Sequence, residues 1–150
     1  MKINGSPIAL EVQIIKIPRG DAFLELRVSA LSIGVRRDYD MLYPRPRPPI
    51  TTTVVKGTPQ ETQNWNDPAF QSELEERAHL ENIYMFWRVL HHDPAISFDN
   101  TPTSLQALRA LSKEIGDSGF SEGDMLLVLK AAMRASNINT DELEAAKKNF

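Results

Sequence analysis

The chain has 150 residues, 41% of them apolar, enough for one domain with a modest core. Seventeen basic against twenty acidic residues leave a net charge of −3, which gives no electrostatic reason to expect nucleic acid as a partner. The absence of cysteine excludes disulfides, thiolate nucleophiles and cysteine-ligated metals. The start, Met1 to Pro7, has no apolar core of signal-peptide length, and no window approaches the roughly 18 apolar residues of a membrane span. The expectation is a cytoplasmic protein without a membrane segment.

Along residues 8–17, Ile8, Leu10, Val12 and Ile14 alternate, the pattern slips at Ile14–Ile15, and Ile15 and Ile17 resume it. Period-two alternation puts one face of a strand on a core, and the slip suggests a bulge. Pro18-Arg19-Gly20-Asp21 supplies turn chemistry. Phe23, Leu24, Leu26 and Val28 restart the pattern, so a β-hairpin is expected, with a loop longer than a tight two-residue turn. The Arg-Gly-Asp triplet at 19–21 invites an adhesion reading, but glycine and aspartate are what turns use.

Residues 30–43 have no clear period: Leu31, Ile33 and Val35 alternate weakly before a polar run, Arg36 to Asp40, and an apolar Met41-Leu42-Tyr43. Tyr43-Pro44-Arg45-Pro46-Arg47-Pro48-Pro49-Ile50 can be neither helix nor central strand, because four prolines lack an N–H and have a fixed φ. It is expected to be extended. Ile50 to Val55 has strong β propensity and predicts a third strand. The polar residues 58–67 read as a surface loop with Trp65 anchoring its end.

Asn66-Asp67-Pro68-Ala69-Phe70 is a helix start, with Asp67 as cap and Pro68 at the first helical position. One long helix is predicted from Pro68 to about His91. Its Leu80, Ile83, Tyr84, Trp87 and Leu90 form one stripe, and Met85, Phe86 and Val89 make the second half apolar nearly all round. Such a segment is deeply buried or contacts a partner. Asp93-Pro94 ends it. After a linker at 95–102, Thr103 or Ser104 caps a helix carrying Leu105, Leu108, Leu111 and Ile115. Ser121 starts another, with Met125, Leu126, Val128, Leu129, Ala132 and Met133. Asn139 and Glu142 fit a capping box for a last short helix.

The fold class predicted is α+β: a β-rich part at 1–57, a loop at 58–67 and a helical part at 68–150, in one domain. Short connectors make the last helices an antiparallel cluster.

Chemistry is scarce. His91-His92-Asp93 is the densest set of ligand types, but adjacent helical side chains point about 100° apart, and histidines suit a helix C-terminus. His79 is too distant in sequence for an i,i+4 pair. Glu73, Glu75, Glu76 and Glu81 read as an exposed helix face. Gly119-Phe120-Ser121-Glu122-Gly123 matches G-x-S-x-G, yet the nucleophile elbow needs a buried strand before it, and here a polar helix end precedes it. Arg36, Arg37, Arg45 and Arg47 lie beside Tyr39 and Tyr43, a pattern that can hold nucleic acid, diluted by Asp38 and Asp40. A PxxP-like stretch could also dock in an aromatic groove. No catalytic, metal or cofactor residue is assigned.

The order of features resembles the tail assembly chaperones of long-tailed bacteriophages. Tyr43-Pro44-Arg45-Pro46-Arg47-Pro48-Pro49 and Asn66-Asp67-Pro68-Ala69-Phe70, with Arg77 inside the helix, carry the likeness, which covers residues 25–95. The resemblance implies a non-enzymatic protein that binds the tape-measure protein and tail-tube subunits during tail assembly. A homo-oligomer is compatible with it, and nucleic acid is not expected. The partner-binding candidates are Tyr43, Pro44, Pro46, Pro48, Pro49, Trp65, Phe70, Ile83, Phe86, Trp87 and Leu90, which either fill the core or face a partner. A neck, connector or tail component of the particle, and a small hydrolase or other enzyme with a pocket around Ser121 or the histidines, stay open as alternatives.

Overall fold

The computed structural model describes residues 2–7 and 9–137. Its first half is built of hairpins, each a separate two-stranded antiparallel sheet. Strands β1 (Lys2–Ile3) and β2 (Ser6–Pro7) flank Asn4 and Gly5, at φ 51° and 80°. Asn-Gly is the pair that tolerates two consecutive left-handed residues, which a two-residue hairpin turn needs.

Strands β3 (Val12–Arg19) and β4 (Ala22–Ser29) form the expected hairpin, with two corrections. Pairing runs unbroken from Val12 opposite Ser29 to Arg19 opposite Ala22, so there is no bulge at Ile14–Ile15. The slip in the pattern has another cause: the strand is apolar on both faces. Ile15 and Ile17 face inward, while Val12 and Ile14 lie on the outer face in solvent. The turn is also tight, only Gly20 and Asp21, with Gly20 at φ 60°. Ile8 lies outside the described residues.

Helix α1 (Val35–Leu42) occupies the stretch that showed no clear period. Val35, Tyr39 and Tyr43, four residues apart, turn one side of it to the core. The segment 58–67, expected as a loop, is corrected by the next hairpin: β5 (Ile50–Val55) pairs along its whole length with β6 (Thr58–Gln63). Lys56 and Gly57, at φ 53° and 78°, make the two-residue turn. Polarity hid β6, because every residue of both strands is exposed and no apolar face was needed.

The second half is helical. In α2 (Pro68–Leu90), Asp67 accepts from the Phe70 N–H at 2.9 Å and Pro68 occupies the first turn. Ser104 caps α3 (Leu105–Asp117), accepting from Ala107 N at 3.1 Å. Ser121 and Asp124 close a capping box on α4 (Glu122–Ala135). The short helix predicted from Asn139 lies outside the described residues.

One core joins these parts. Ile17, Leu26 and Val28 of the first large hairpin meet Tyr39 and Tyr43, six buried residues of α2 from Leu80 to Leu90, Leu108 and Leu111 of α3, and Val128 and Ala132 of α4. Fully burying each large apolar side chain contributes about 1.5–3 kcal/mol, which makes this cluster the main source of cohesion. Backbone ends are tied in as well. Asp93 accepts from Arg27 N on the outer edge of β4 at 2.9 Å, and Ser136 Oγ accepts from Leu31 N at 2.8 Å. No described helix is long and apolar enough to cross a membrane.

Candidate functional site

The most extended feature that packing does not explain is the β5–β6 hairpin with its two legs, an arm running from Pro44 to Asn66; the short β1–β2 hairpin is exposed as well. A lone hairpin with no covered face is marginal in water, so its construction invites a functional account. Both legs are tied to α2, and the outgoing one starts from the corner between α1 and α2. The outgoing leg leaves α1 at Tyr43; along it Pro44 and Pro49 are exposed, Pro46 is half-buried and Pro48 is buried. Asn64 N donates to Pro49 O at 2.8 Å, which extends the ladder one pair beyond β5 and β6. The returning leg carries Trp65, which is 58% exposed and lies edge-on to buried Phe70, ring centres 5.9 Å apart. Gln71 Nε2 donates to the Trp65 carbonyl at 2.5 Å and pins that leg to the first turn of α2.

The corner is clamped by Arg77. Its Nε donates to the Tyr43 carbonyl at 3.0 Å, and its NH2 group pairs with Asp40. Its guanidinium carbon lies 5.0 Å from the Tyr39 ring centre and 5.9 Å from that of Tyr43, a cation–π arrangement. Tyr39 hydroxyl returns a bond to the Arg77 carbonyl at 2.5 Å. Burial pushes the Tyr39 hydroxyl far above its ordinary value, against the pull of Arg77, so it stays a donor. Tyr43 hydroxyl reaches Glu76 at 3.3 Å. Burial, reinforced by that carboxylate, raises Tyr43 as well. Glu76 accepts in turn from Arg109 of α3 at 2.6 and 3.1 Å, and these bonds hold its carboxyl below the usual range. The arm is thus mounted on three helices.

The other candidates divide cleanly. Ile83, Phe86 and Leu90 are at most 2% exposed and belong to the chain's own core. Trp87 is half-buried, stacked on His91 at 4.2 Å and tilted against Tyr84 at 6.2 Å. Among the apolar side chains left in solvent are Val12, Ile14 and Phe23 on the outer face of β3–β4, and Ile50, Val54 and Val55 on the arm. Sequence reading missed these because it assigned apolar alternation to buried faces. Pairing register, once known, separates the inward set from the outward set.

The sites of suspected chemistry have structural occupations. His91 Nδ1 lies 3.0 Å from Arg88 O and 3.2 Å from Trp87 O, serving the last carbonyls of α2. His92 is depressed by burial and by the neighbouring His91 and Arg88. Among the described residues no three acidic or histidine side chains gather as a metal site. Ser121 sits between two helices, its hydroxyl accepting from Asp124 N at 3.2 Å and its N–H donating to the Asp124 carboxylate at 2.9 Å. An apolar cleft of about 270 Å³ opens between β4, the end of α2 and Phe120, lined by Leu24, Phe86, Leu90, Ile96 and Phe98. The carboxylate at its wall, Glu114, already accepts from Asp99 N, Asn100 N and Asn100 Nδ2.

Compared with known proteins, the chain matches no family model, no curated protein and no solved structure.

Proposed function

We propose that the chain is a non-enzymatic tail assembly chaperone of a long-tailed bacteriophage, acting through protein–protein contacts. The observation that carries this reading is the arm: a hairpin exposed on both faces, held out on a proline leg and anchored by Arg77 at Tyr43. A stiff leg reduces the entropy lost when a partner engages the arm. The motifs of the phage resemblance, the Tyr43–Pro49 leg and the Asn66–Phe70 helix start, bracket the arm. The outer face of β3–β4 offers a second surface. There Val12, Ile14 and Phe23 are interleaved with Lys16, Glu25 and Arg27, an apolar strip in a charged surround that suits an amphipathic helix such as a tape-measure segment.

Affinity capture of the tagged chain during infection, followed by mass spectrometry, tests the reading. A long helical tape-measure protein or a tube subunit as main prey supports it, and Phe23→Asp should reduce recovery of helical prey at least fivefold. Capture without structural prey, or of a defined small ligand, rejects it. A particle component would use an arm in the same way, and one observation separates the two: a chaperone is missing from purified particles.

A further inference from the structure

We propose that β5 is a self-pairing edge, by which two copies join antiparallel about a two-fold axis at Thr52 into a four-stranded sheet. The proposal goes beyond the phage reading and does not depend on it. It begins with which backbone groups face outward. Asn64 N donates to Pro49 O, so residues 49, 51, 53 and 55 point their N–H and C=O groups into the hairpin. Ile50, Thr52 and Val54 therefore point theirs out along the other edge of β5, which no other described strand pairs.

The side chains on that edge read nearly the same in both directions: Ile50-Thr51-Thr52-Thr53-Val54 is symmetric in character about Thr52. Placing Thr52 against Thr52 of a second copy puts Ile50 opposite the second Val54 at both ends. All three outward residues then form hydrogen-bonded pairs, and the β-branched ends collect on one face. A slip by two residues loses one of the three pairs, and a slip by one matches outward groups with inward ones. No charge lies on β5 itself; just beyond its ends the two-fold sets Lys56 diagonally beside Arg47 of the second copy, a basic pair that is exposed to solvent and screened by salt. The Glu61 carboxylates sit one strand further out on each side, roughly 14 Å apart across three strand spacings, beyond a physiological Debye length.

The opposite edge stops growth. Pro59 pairs with Val54 and so belongs to the outward set of β6, where its missing N–H blunts the edge, and Glu61 adds a charge there. A contact through β5 is closed and isologous, limiting assembly to two chains. Its small area makes the dimer reversible.

The test uses the full chain. In sedimentation equilibrium the mass should rise with concentration from 16.9 kDa toward twice that value and no further. The chain has no cysteine, so single substitutions report cleanly. Thr52→Cys should oxidise to a covalent dimer at least tenfold faster than Glu61→Cys, which sits directly opposite it on the same face with similar exposure. Opposed residues about 5.5 Å apart at Cα fall within disulfide reach. Thr52→Pro should abolish the concentration dependence while leaving far-ultraviolet circular dichroism unchanged, since the hairpin does not use that N–H. A constant 16.9 kDa mass, equal cross-linking rates, or growth beyond two chains overturns the proposal, whatever prey the capture experiment returns.

Discussion

Arg77 and Tyr43 form a cap across two helices: the Arg77 Nε donates to the Tyr43 carbonyl at 3.0 Å, where α1 ends and the arm begins. The following residue is proline, which moves Tyr43 out of helical geometry, to φ −134° and ψ 87°, and leaves this carbonyl to be satisfied from outside. The same guanidinium pairs with Asp40 and lies over two tyrosine rings.

Arg77→Ala should therefore destabilise the chain by about 2–3 kcal/mol, a value below that of a fully buried pair because Asp40 keeps part of its hydration. Arg77→Lys should recover little, since one ammonium cannot reproduce a planar fork directed at two acceptors. Urea unfolding measures both. A loss under about 0.5 kcal/mol for the alanine variant would contradict the clamp.

Truncation separates core from surface. Phe86 is 1% exposed and packs edge-on to Phe120 at 5.3 Å, so Phe86→Ala should cost about 3–5 kcal/mol. Phe23 is 66% exposed, and Phe23→Ser should change stability by less than about 0.5 kcal/mol. Thermal or urea unfolding of the two variants gives the comparison. A similar cost at both positions would mean that the outer hairpin face is covered.

What the sequence displayed and what it hid follow from the same physics. Asp67-Pro68, Ser104 and Ser121 announced helix starts because capping is local chemistry, readable within four residues. The antiparallel hairpin at 12–29 was legible from its alternation, but its unbroken register and tight Gly20-Asp21 turn were not. The β6 strand was not, because Thr58 to Gln63 buries nothing and its pairing is set by a Lys-Gly turn that carries only a weak hairpin signal. The clamp was hidden for another reason: Asp40, Tyr43 and Arg77 are brought together only when α1 lies on α2. The aromatic stripe of α2 was visible, but whether it met a core or a partner depended on β3–β4 covering it.

Asp124 gives the clearest pH signature. The Arg19 guanidinium, bonded at 2.6 and 3.3 Å, together with the Ser121 N–H, holds its carboxyl down to about 2. Its unfolded value is near 3.9. A depressed folded pKa makes this contribution fully present above about pH 4 and lost as pH falls through about 2. Asp124→Asn should remove that part of the acid sensitivity. The check is the difference in unfolding free energy between wild type and variant, followed from pH 5 to pH 2 (roughly the span of the linkage). A difference that stays constant over that range would contradict the assignment.

Ser121→Ala should cost about 1 kcal/mol through loss of the cap on α4, and Ser121→Thr should restore most of it. The Ser121 hydroxyl accepts from Asp124 N and bonds to no histidine among the described residues, so a fluorophosphonate serine probe should leave Ser121 unlabelled. Selective labelling at Ser121 would revive the hydrolase reading of Gly119 to Gly123.

The arm should open independently of the body, and Lys56 is the place to see it. Lys56 holds φ 53°, a left-handed conformation that costs an ordinary L-residue about 1 kcal/mol, whereas asparagine tolerates it. Lys56→Asn should therefore strengthen the hairpin by roughly 0.5–1 kcal/mol. Because no residue of β5 or β6 is buried, that gain should stay local. Hydrogen exchange should slow about two- to fivefold at the Thr53 and Val55 amides, which point into the ladder, and remain unchanged at Val89 in the core. Equal slowing at Val89 would mean that arm and core unfold as one unit, and that the arm is supported by more than its own turn and legs.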